Sequence, residues 1–275
     1  MKIDLILVEY DSGRQHFRMA NGPKRLIESG LEERLQGTGH TVRINRVVAD
    51  TTNANEIATT FELHRGVARA VAKACAEWSF PIVVSGNCGS ALGTTAGLRA
   101  SGSPPAVCWL DAHADFNTPD TSESGFIDGM SLATLTGRTW KNLAATIPGF
   151  APVPEWQVAL VGARDLDPLE AAALDESRIV RATLADADNA FRSMSTESKR
   201  LYFHVDLDVL DPSVGRANMF SVPGGLTVDD VIRVMESARR RFDIAAAALT
   251  SYDPIADLDG RIARGAIDIA QALTQ

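Results

Sequence analysis

Six short apolar runs, most of them closed by a polar cluster, constrain the fold of this chain more than any other feature. They are LILV (5–8), PIVVSG (81–86), AVCWLD (106–111), QVALVG (157–162), LYFHVDLD (201–208) and IAAAALT (244–250). Several are continuous rather than alternating, the pattern of strands covered on both faces. Between them lie longer segments with helical spacing. Pro23 opens one that sets Leu26, Ile27, Gly30, Leu31 and Leu35 along a face, and others run over 61–78, 227–241 and 260–273. Strand and helix alternating at this interval predict a three-layer α/β/α fold around a mostly parallel sheet. No linker rich in Gly, Pro or Ser and no internal repeat divides the 275 residues, so the chain reads as one domain, 1–275.

Such folds bind ligands beyond the carboxyl ends of their strands. Five polar clusters fall there: GNCGS, DAHAD, GARDLD, HVDLDVLD and SYDP. Asp111, His113 and Asp115 are spaced by two, which puts them on one side of an extended chain, and Asp206 and Asp208 repeat that spacing. Four convergent carboxylates stay ionised in a cleft only when cations compensate them. A pair of divalent ions sharing these carboxylates, with a water between them as nucleophile, accounts for the set. Oxygen ligands with one imidazole suit Mn²⁺, with Zn²⁺ as the alternative. Aspartates at strand ends also close turns, a role that suits Asp211 before Pro212.

Composition removes other classes. A net charge of -8 without a basic face argues against nucleic-acid binding. No apolar stretch of about 18 residues is present, so no membrane-spanning helix is expected. The opening MKIDLILVEYDSG is interrupted by Asp4 and Glu9 and reads as a strand rather than a leader. Three cysteines, Cys75, Cys88 and Cys108, form no disulfide framework and favour a reducing, cytoplasmic setting. His16, His40, His64 and His204 need no functional role; His204, two residues before Asp206, reads as a hydrogen-bonded strand histidine, and Trp109 and Phe203 as core.

The segments DAHADFNTPDTSESG, HVDLDVLDPS, NGPKRL and VPGGLT resemble, in order and position along the full chain, the arginase and agmatinase family, the ureohydrolases. The resemblance implies an eight-stranded parallel sheet, two Mn²⁺ ions, a small guanidino amino acid as substrate, and hydrolysis to urea and an amine. It also implies a homo-oligomer, trimeric or hexameric. One ion would use Cys88, Asp111, Asp115 and Asp206, and the other His113, Asp111, Asp206 and Asp208. Asn117 and Ser124 match residues that hold a substrate α-carboxylate, and Asp167 one that reaches the α-amino group. Local side-chain-to-backbone bonds are the alternative account of Asn117 and Ser124, as shapers of a polar loop, but with Asp167 also present the substrate clamp is the favoured reading.

Three positions depart from the family pattern. Cys88 stands where the family has a metal-binding histidine; it is either a soft ligand that favours Zn²⁺ or leaves partial occupancy, or a small apolar filler. Asp128 stands at the proton-shuttle histidine, as a catalytic proton carrier if its pKa is raised, or as an acceptor at the turn before Gly129. Ser251 stands at the carboxylate that faces the guanidinium, leaving substrate orientation to Asp253 or to backbone carbonyls. The cysteine and DFNTPDTSESG also resemble the branch that hydrolyses N-hydroxyarginine to hydroxyurea and ornithine. Two alternatives stand beside this: hydrolysis of a formimino or amide C–N bond on a small acid, and a catalytically silent metal-binding or interaction protein.

Overall fold

The computed structural model of the chain describes residues 1–50, 55–102 and 104–275. Its strands are β1 (Lys2–Val8), β2 (Thr41–Arg46), β3 (Ser79–Ser85), β4 (Ala106–Leu110), β5 (Val158–Val161), β6 (Val180–Ala182), β7 (Arg200–Asp206) and β8 (Asp243–Thr250). They form one eight-stranded sheet in the order β2-β1-β3-β8-β7-β4-β5-β6, with every pairing parallel.

The continuous apolar runs have a direct cause. Successive side chains leave a strand on opposite faces, and both faces here are covered. In β1, Ile3, Leu5 and Leu7 join one core while Ile6 and Val8 join the other. In β7, Leu201, Phe203 and Val205 go one way and Tyr202 the other. The Glu56–Ala76 and Ser90–Ala100 helices cover one face with Val67, Val71, Ala91 and Leu92. Val228–Arg239 and Arg261–Leu273 cover the other with Val231, Val234, Ile262 and Ile269. Among the described residues, no helix is long and apolar enough to cross a membrane.

One expectation needs correction. The helical face running from Pro23 to Leu35 belongs to two helices, Gly22–Glu28 and Leu31–Gly37. Gly30 between them has φ +98°, a left-handed conformation that ends the first helix while leaving Leu26, Leu31 and Leu35 in the same core.

Register then builds the functional edge. Ser85 pairs with Thr250 and Thr250 with Asp206, so the ends of β3, β8 and β7 stand in one row. Leu110 pairs with Val205, which brings Asp111 level with Asp206. β5 lies next to β4, so the five strands whose ends carry the polar clusters are neighbours in the sheet.

The chain leaves β3 through a tight approach. A Cβ on Gly86 would lie 2.2 Å from the Tyr10 carbonyl oxygen and 2.9 Å from that of Met19. Backbone on both sides cannot yield, so Gly86→Ala is expected to cost about 1–3 kcal/mol, in the range for overpacking a filled site. Urea unfolding checks this: the midpoint falls with an unchanged slope, whereas a wild-type midpoint would mean the 10–20 loop is not seated on the end of β3.

Candidate metal centre

Asp111 follows the last residue of β4 and is fully buried. Its Oδ2 accepts from Trp109 Nε1 at 3.0 Å and its Oδ1 from the His113 amide at 2.8 Å. That second bond turns the chain so that His113 Nδ1 lies 3.3 Å from Asp111 Oδ1 and 3.6 Å from Asp208 Oδ2. Asp206 ends β7 and accepts the Asp208 amide at 2.9 Å, which opens the tight turn Leu207–Val209 and swings Asp208 toward the same space. Asp208 also accepts from the Ala112 amide at 3.3 Å and from Asn218 Nδ2 at 3.1 Å.

Cys88 closes the cluster from the β3 side. Its Sγ lies 2.9 Å from Asp206 Oδ2, 3.1 Å from Thr250 Oγ1 and 3.4 Å from Ser251 Oγ. Two sets of potential ligand atoms result, each within 4.8 Å of one another: Cys88, Asp111 and Asp206, and Asp111, His113 and Asp208. Asp115 belongs to neither set but faces the same cluster. It adopts φ +50°, its carbonyl accepting from the Leu132 and Ala133 amides at 2.9 and 3.1 Å.

Electrostatics tests whether these residues suit cations. Burial, then the charges of Asp208 and Asp111, push the Asp206 carboxyl well above its ordinary value. Burial, then Asp111, Asp128, Asp206 and Glu170, do the same to Asp115. Burial and Asp111 raise Asp208 to about 6, against the opposing pull of His113 and Asn218. The Cys88 thiol is pushed up by burial and then by Asp206, Asp115, Asp128 and Asp111. Burial alone would lower the His113 imidazole, but the Asp111 hydrogen bond and the charges of Asp111, Asp208 and Asp165 raise it to about 9. Asp115, Asp206 and Asp208 resist ionisation and the imidazole holds its proton, the signature of an acidic cluster lacking positive charge. Divalent cations bound to oxygen, imidazole and sulfur donors would relieve both. The donor set fits them.

Asp128 is held differently. Its Oδ2 accepts from the Cys88 amide at 3.0 Å and Asn87 Nδ2 at 2.9 Å, and its Oδ1 from the Gly89 amide at 2.8 Å and the Ser131 hydroxyl at 3.0 Å. Burial nevertheless raises it to about 6, against these hydrogen bonds. Three of the donors, from Asn87, Cys88 and Gly89, tie it to the turn that presents Cys88 and starts the Ser90–Ala100 helix.

A cavity of about 250 Å³ opens over the cluster. Seven carboxylates line it, from Asp115, Asp128, Asp165, Asp167, Glu170, Asp206 and Asp208, and among the described residues no lysine or arginine does. Asn117, Ser124 and Ser251 also line it. Asn117 is fixed by donating to Asp167 Oδ2 at 2.9 Å and accepting from Thr121 Oγ1 at 2.9 Å. Ser124 is exposed, and its hydroxyl oxygen accepts the Phe126 amide at 3.2 Å. Asp253, expected to orient substrate, is absent from the lining; its Oδ1 accepts the Ile255 amide at 3.1 Å, closing a turn.

Sequence reasoning missed part of the wall. Asn218 ties Asp208 to the Ser251 carbonyl, which it reaches at 2.8 Å. Phe126 and Phe220 stack with centroids 5.8 Å apart, and Phe220 stands edge-on to His113. These residues sit on irregular loops, where no periodicity marks them. The Arg164 side chain, within the GARDLD cluster, binds the backbone carbonyls of Gly162, Asp208, Val222 and Pro223, fastening the Asp208 turn to the glycine-rich loop.

The parallel sheet, the acidic cluster at its carboxyl edge and the cation-demanding electrostatics define a class, the metal-dependent α/β hydrolases. The arginase family profile matches residues 1–274, and the chain belongs to that family. An arginase of Bacillus subtilis strain 168 is 29% identical over 287 residues, covering 98% of this chain and 97% of that protein. The solved arginase of Bacillus caldovelox superposes with a TM-score of 0.89 at 25% identity, covering 100% of this chain and 98% of that one. That of Bacillus cereus gives 0.88 at 26%, covering 99% and 98%.

Proposed function

We propose that the protein hydrolyses the guanidinium C–N bond of an arginine-like amino acid, at a centre of two Mn²⁺ ions held by Cys88, Asp111, His113, Asp115, Asp206 and Asp208. The observation that carries this reading is the cavity itself: among the described residues, seven carboxylates and no lysine or arginine surround a space sized for a small cationic molecule. The sulfur of Cys88 makes Zn²⁺ the alternative at that position. Bound divalent ions supply a Lewis acid and lower the pKa of a coordinated water. Water adds to the guanidinium carbon, the bond to the side-chain nitrogen breaks, and that nitrogen leaves as the amine after taking up a proton.

The chain's own residues bind and orient. Asp167 pairs with the α-ammonium, and Asn117 and Ser124 donate to the α-carboxylate. Phe126 and Phe220 pack on the aliphatic stem and exclude water from the reacting end. The geometry favours the turn-holding reading of Asp128, because four donors already occupy both its oxygens; its role is to fix the Cys88 turn rather than to carry a proton. Ser251 offers a hydroxyl where a guanidinium would call for a carboxylate. A less basic N-hydroxyguanidine, with a hydroxyl of its own to donate, suits such a site better than arginine. The same reading sets the protein in the reducing cytoplasm, in line with three free cysteines, as a trimer or hexamer.

Product analysis on the Mn²⁺-loaded protein with arginine and N-hydroxyarginine side by side tests this. Ornithine is expected from at least one of them, with the higher kcat/KM on N-hydroxyarginine and hydroxyurea as co-product. Preference for arginine would overturn the substrate choice and leave the reaction class standing. Turnover of neither, at full metal loading, would overturn both and point to a silent metal-binding protein.

A further inference from the structure

Behind Cys88 runs a chain of buried polar groups that the proposed reaction does not use. Tyr202 Oη lies 2.7 Å from His204 Nδ1, His204 Nε2 lies 3.4 Å from Thr250 Oγ1, and Thr250 Oγ1 lies 3.1 Å from Cys88 Sγ. All four residues are 1% exposed or less. The His204 ring is stacked on Trp109 at 3.8 Å and 18°, and Trp109 donates to Asp111. Neither ring nitrogen has a carboxylate partner among the described residues, and an unpaired cation at this depth would be costly, so the ring is neutral and carries one proton.

We propose that Tyr202, His204 and Thr250 form a hydrogen-bond relay that aims a hydroxyl donor at the Cys88 sulfur and so adapts this metal position to a thiol-derived ligand. The inference rests on the reading of Cys88 as a metal ligand. Given that reading, the proton positions follow. A metal-bound sulfur has no hydrogen to donate, so Thr250 must donate to it. Thr250 has one hydrogen, and two other acceptors compete for it: the Val205 carbonyl at 3.3 Å and any unprotonated Nε2. Nε2 ceases to compete, and becomes a donor to Thr250 Oγ1, when the ring proton sits on it. Tyr202, whose hydroxyl also bonds Thr94, sets that tautomer when it gives its phenol hydrogen to Nδ1. The stack on Trp109 holds the ring in the plane that this arrangement needs, as outer partners of a metal ligand do. These are positioning residues: they touch neither substrate nor reacting atoms.

Cobalt substitution reads the relay without turnover, because a sulfur ligand gives Co²⁺ a charge-transfer band that oxygen ligands do not. The wild-type protein is expected to show the band and Cys88→Ser to lack it; a wild type without the band would overturn the ligand reading and the relay with it. Thr250→Val removes the hydroxyl at nearly constant shape, and Tyr202→Phe frees the tautomer. Both are expected to shift the band and weaken Co²⁺ at the sulfur position by about 10-fold or more, the usual effect of losing an outer partner. Thr250→Ser, which keeps the hydroxyl, is expected to retain wild-type band and affinity, with near-ultraviolet circular dichroism verifying that each variant is folded. Wild-type band and affinity in both Thr250→Val and Tyr202→Phe, with the band still lost in Cys88→Ser, would overturn the relay and leave Cys88 a ligand.

Discussion

Asp206→Asn is expected to lower kcat/KM by about 1,000-fold or more, a loss of roughly 4 kcal/mol of transition-state stabilisation, while raising the stability of the metal-free protein. The two halves have one cause. Asp206 reaches Cys88 and sits level with Asp111 in one set of ligand atoms, and it accepts the amide that turns Asp208 into the other. An amide keeps the volume but removes the charge that two cations would share. Without metal, that charge is a burden, because burial and the charges of Asp208 and Asp111 all oppose it. Removing it should stabilise the metal-free fold by about 1 kcal/mol, or about 2–4 °C in Tm for a chain of this size. Activity assays paired with thermal melts in chelator at pH 8 read both. A variant that retains activity, or melts well below the metal-free wild type, would place Asp206 outside the metal centre.

Removing the metals should have the second large effect, abolishing activity and making stability fall as pH rises. Each occupied site, at a free-metal concentration 100 times its Kd, adds about 2.7 kcal/mol to the folded state. The pH dependence follows from His113. Its folded value of about 9 exceeds the ordinary 6.5, so it favours the fold fully below pH 6.5, and that contribution is lost as pH climbs toward 9. One proton corresponds to a slope of at most about 1.4 kcal/mol per pH unit in that window. Asp128 and Asp208, raised to about 6, lose their contributions in the same direction but lower, from 3.8 upward. His64 and His204, lowered to about 3 by burial, act oppositely: their contribution is present above 6.5 and lost as pH falls below it. Between pH 6.5 and 8.5 nothing from those two offsets His113. The metal-free Tm should therefore drop over that interval, and Mn²⁺ should raise Tm most at the upper end. A flat metal-free profile would mean that the cluster is not electrostatically frustrated.

The legible part of this molecule was the part written in periodicity and spacing. β1, β3, β4, β5, β7 and β8 are buried on both faces, which forces continuous apolar runs. β2 and β6 lie at the sheet edges; TVRINR is half exposed and VRA is three residues long, so neither reads as a covered strand. The Ser90–Ala100 helix also escaped notice. Its residues SALGTTAGLRA are small and nearly all buried, so it has no polar face to set up a helical rhythm.

In the site, Asp111, His113, Asp206 and Asp208 were visible because register places strand ends side by side and spacing of two repeats at both. Asp115 was expected to share the extended side with them, but its left-handed backbone sends the chain elsewhere, and it joins neither close set of ligand atoms. Asn218 and Phe220 could not be found this way. They reach the cleft from irregular loops, and only the packing of distant segments brings them there. His204 reads correctly as a hydrogen-bonded strand histidine; what sequence could not show is that its partners lead to Cys88.

The most direct test of the account is a crystal structure of the Mn²⁺-loaded protein with data collected at the manganese absorption edge. The account predicts two anomalous peaks at the carboxyl edge of the sheet, one bonded to Cys88 Sγ, Asp111 and Asp206 and the other to His113, Asp111 and Asp208. A fully loaded crystal with one peak or none in that cluster, or with two peaks neither of which contacts Asp206, would contradict it.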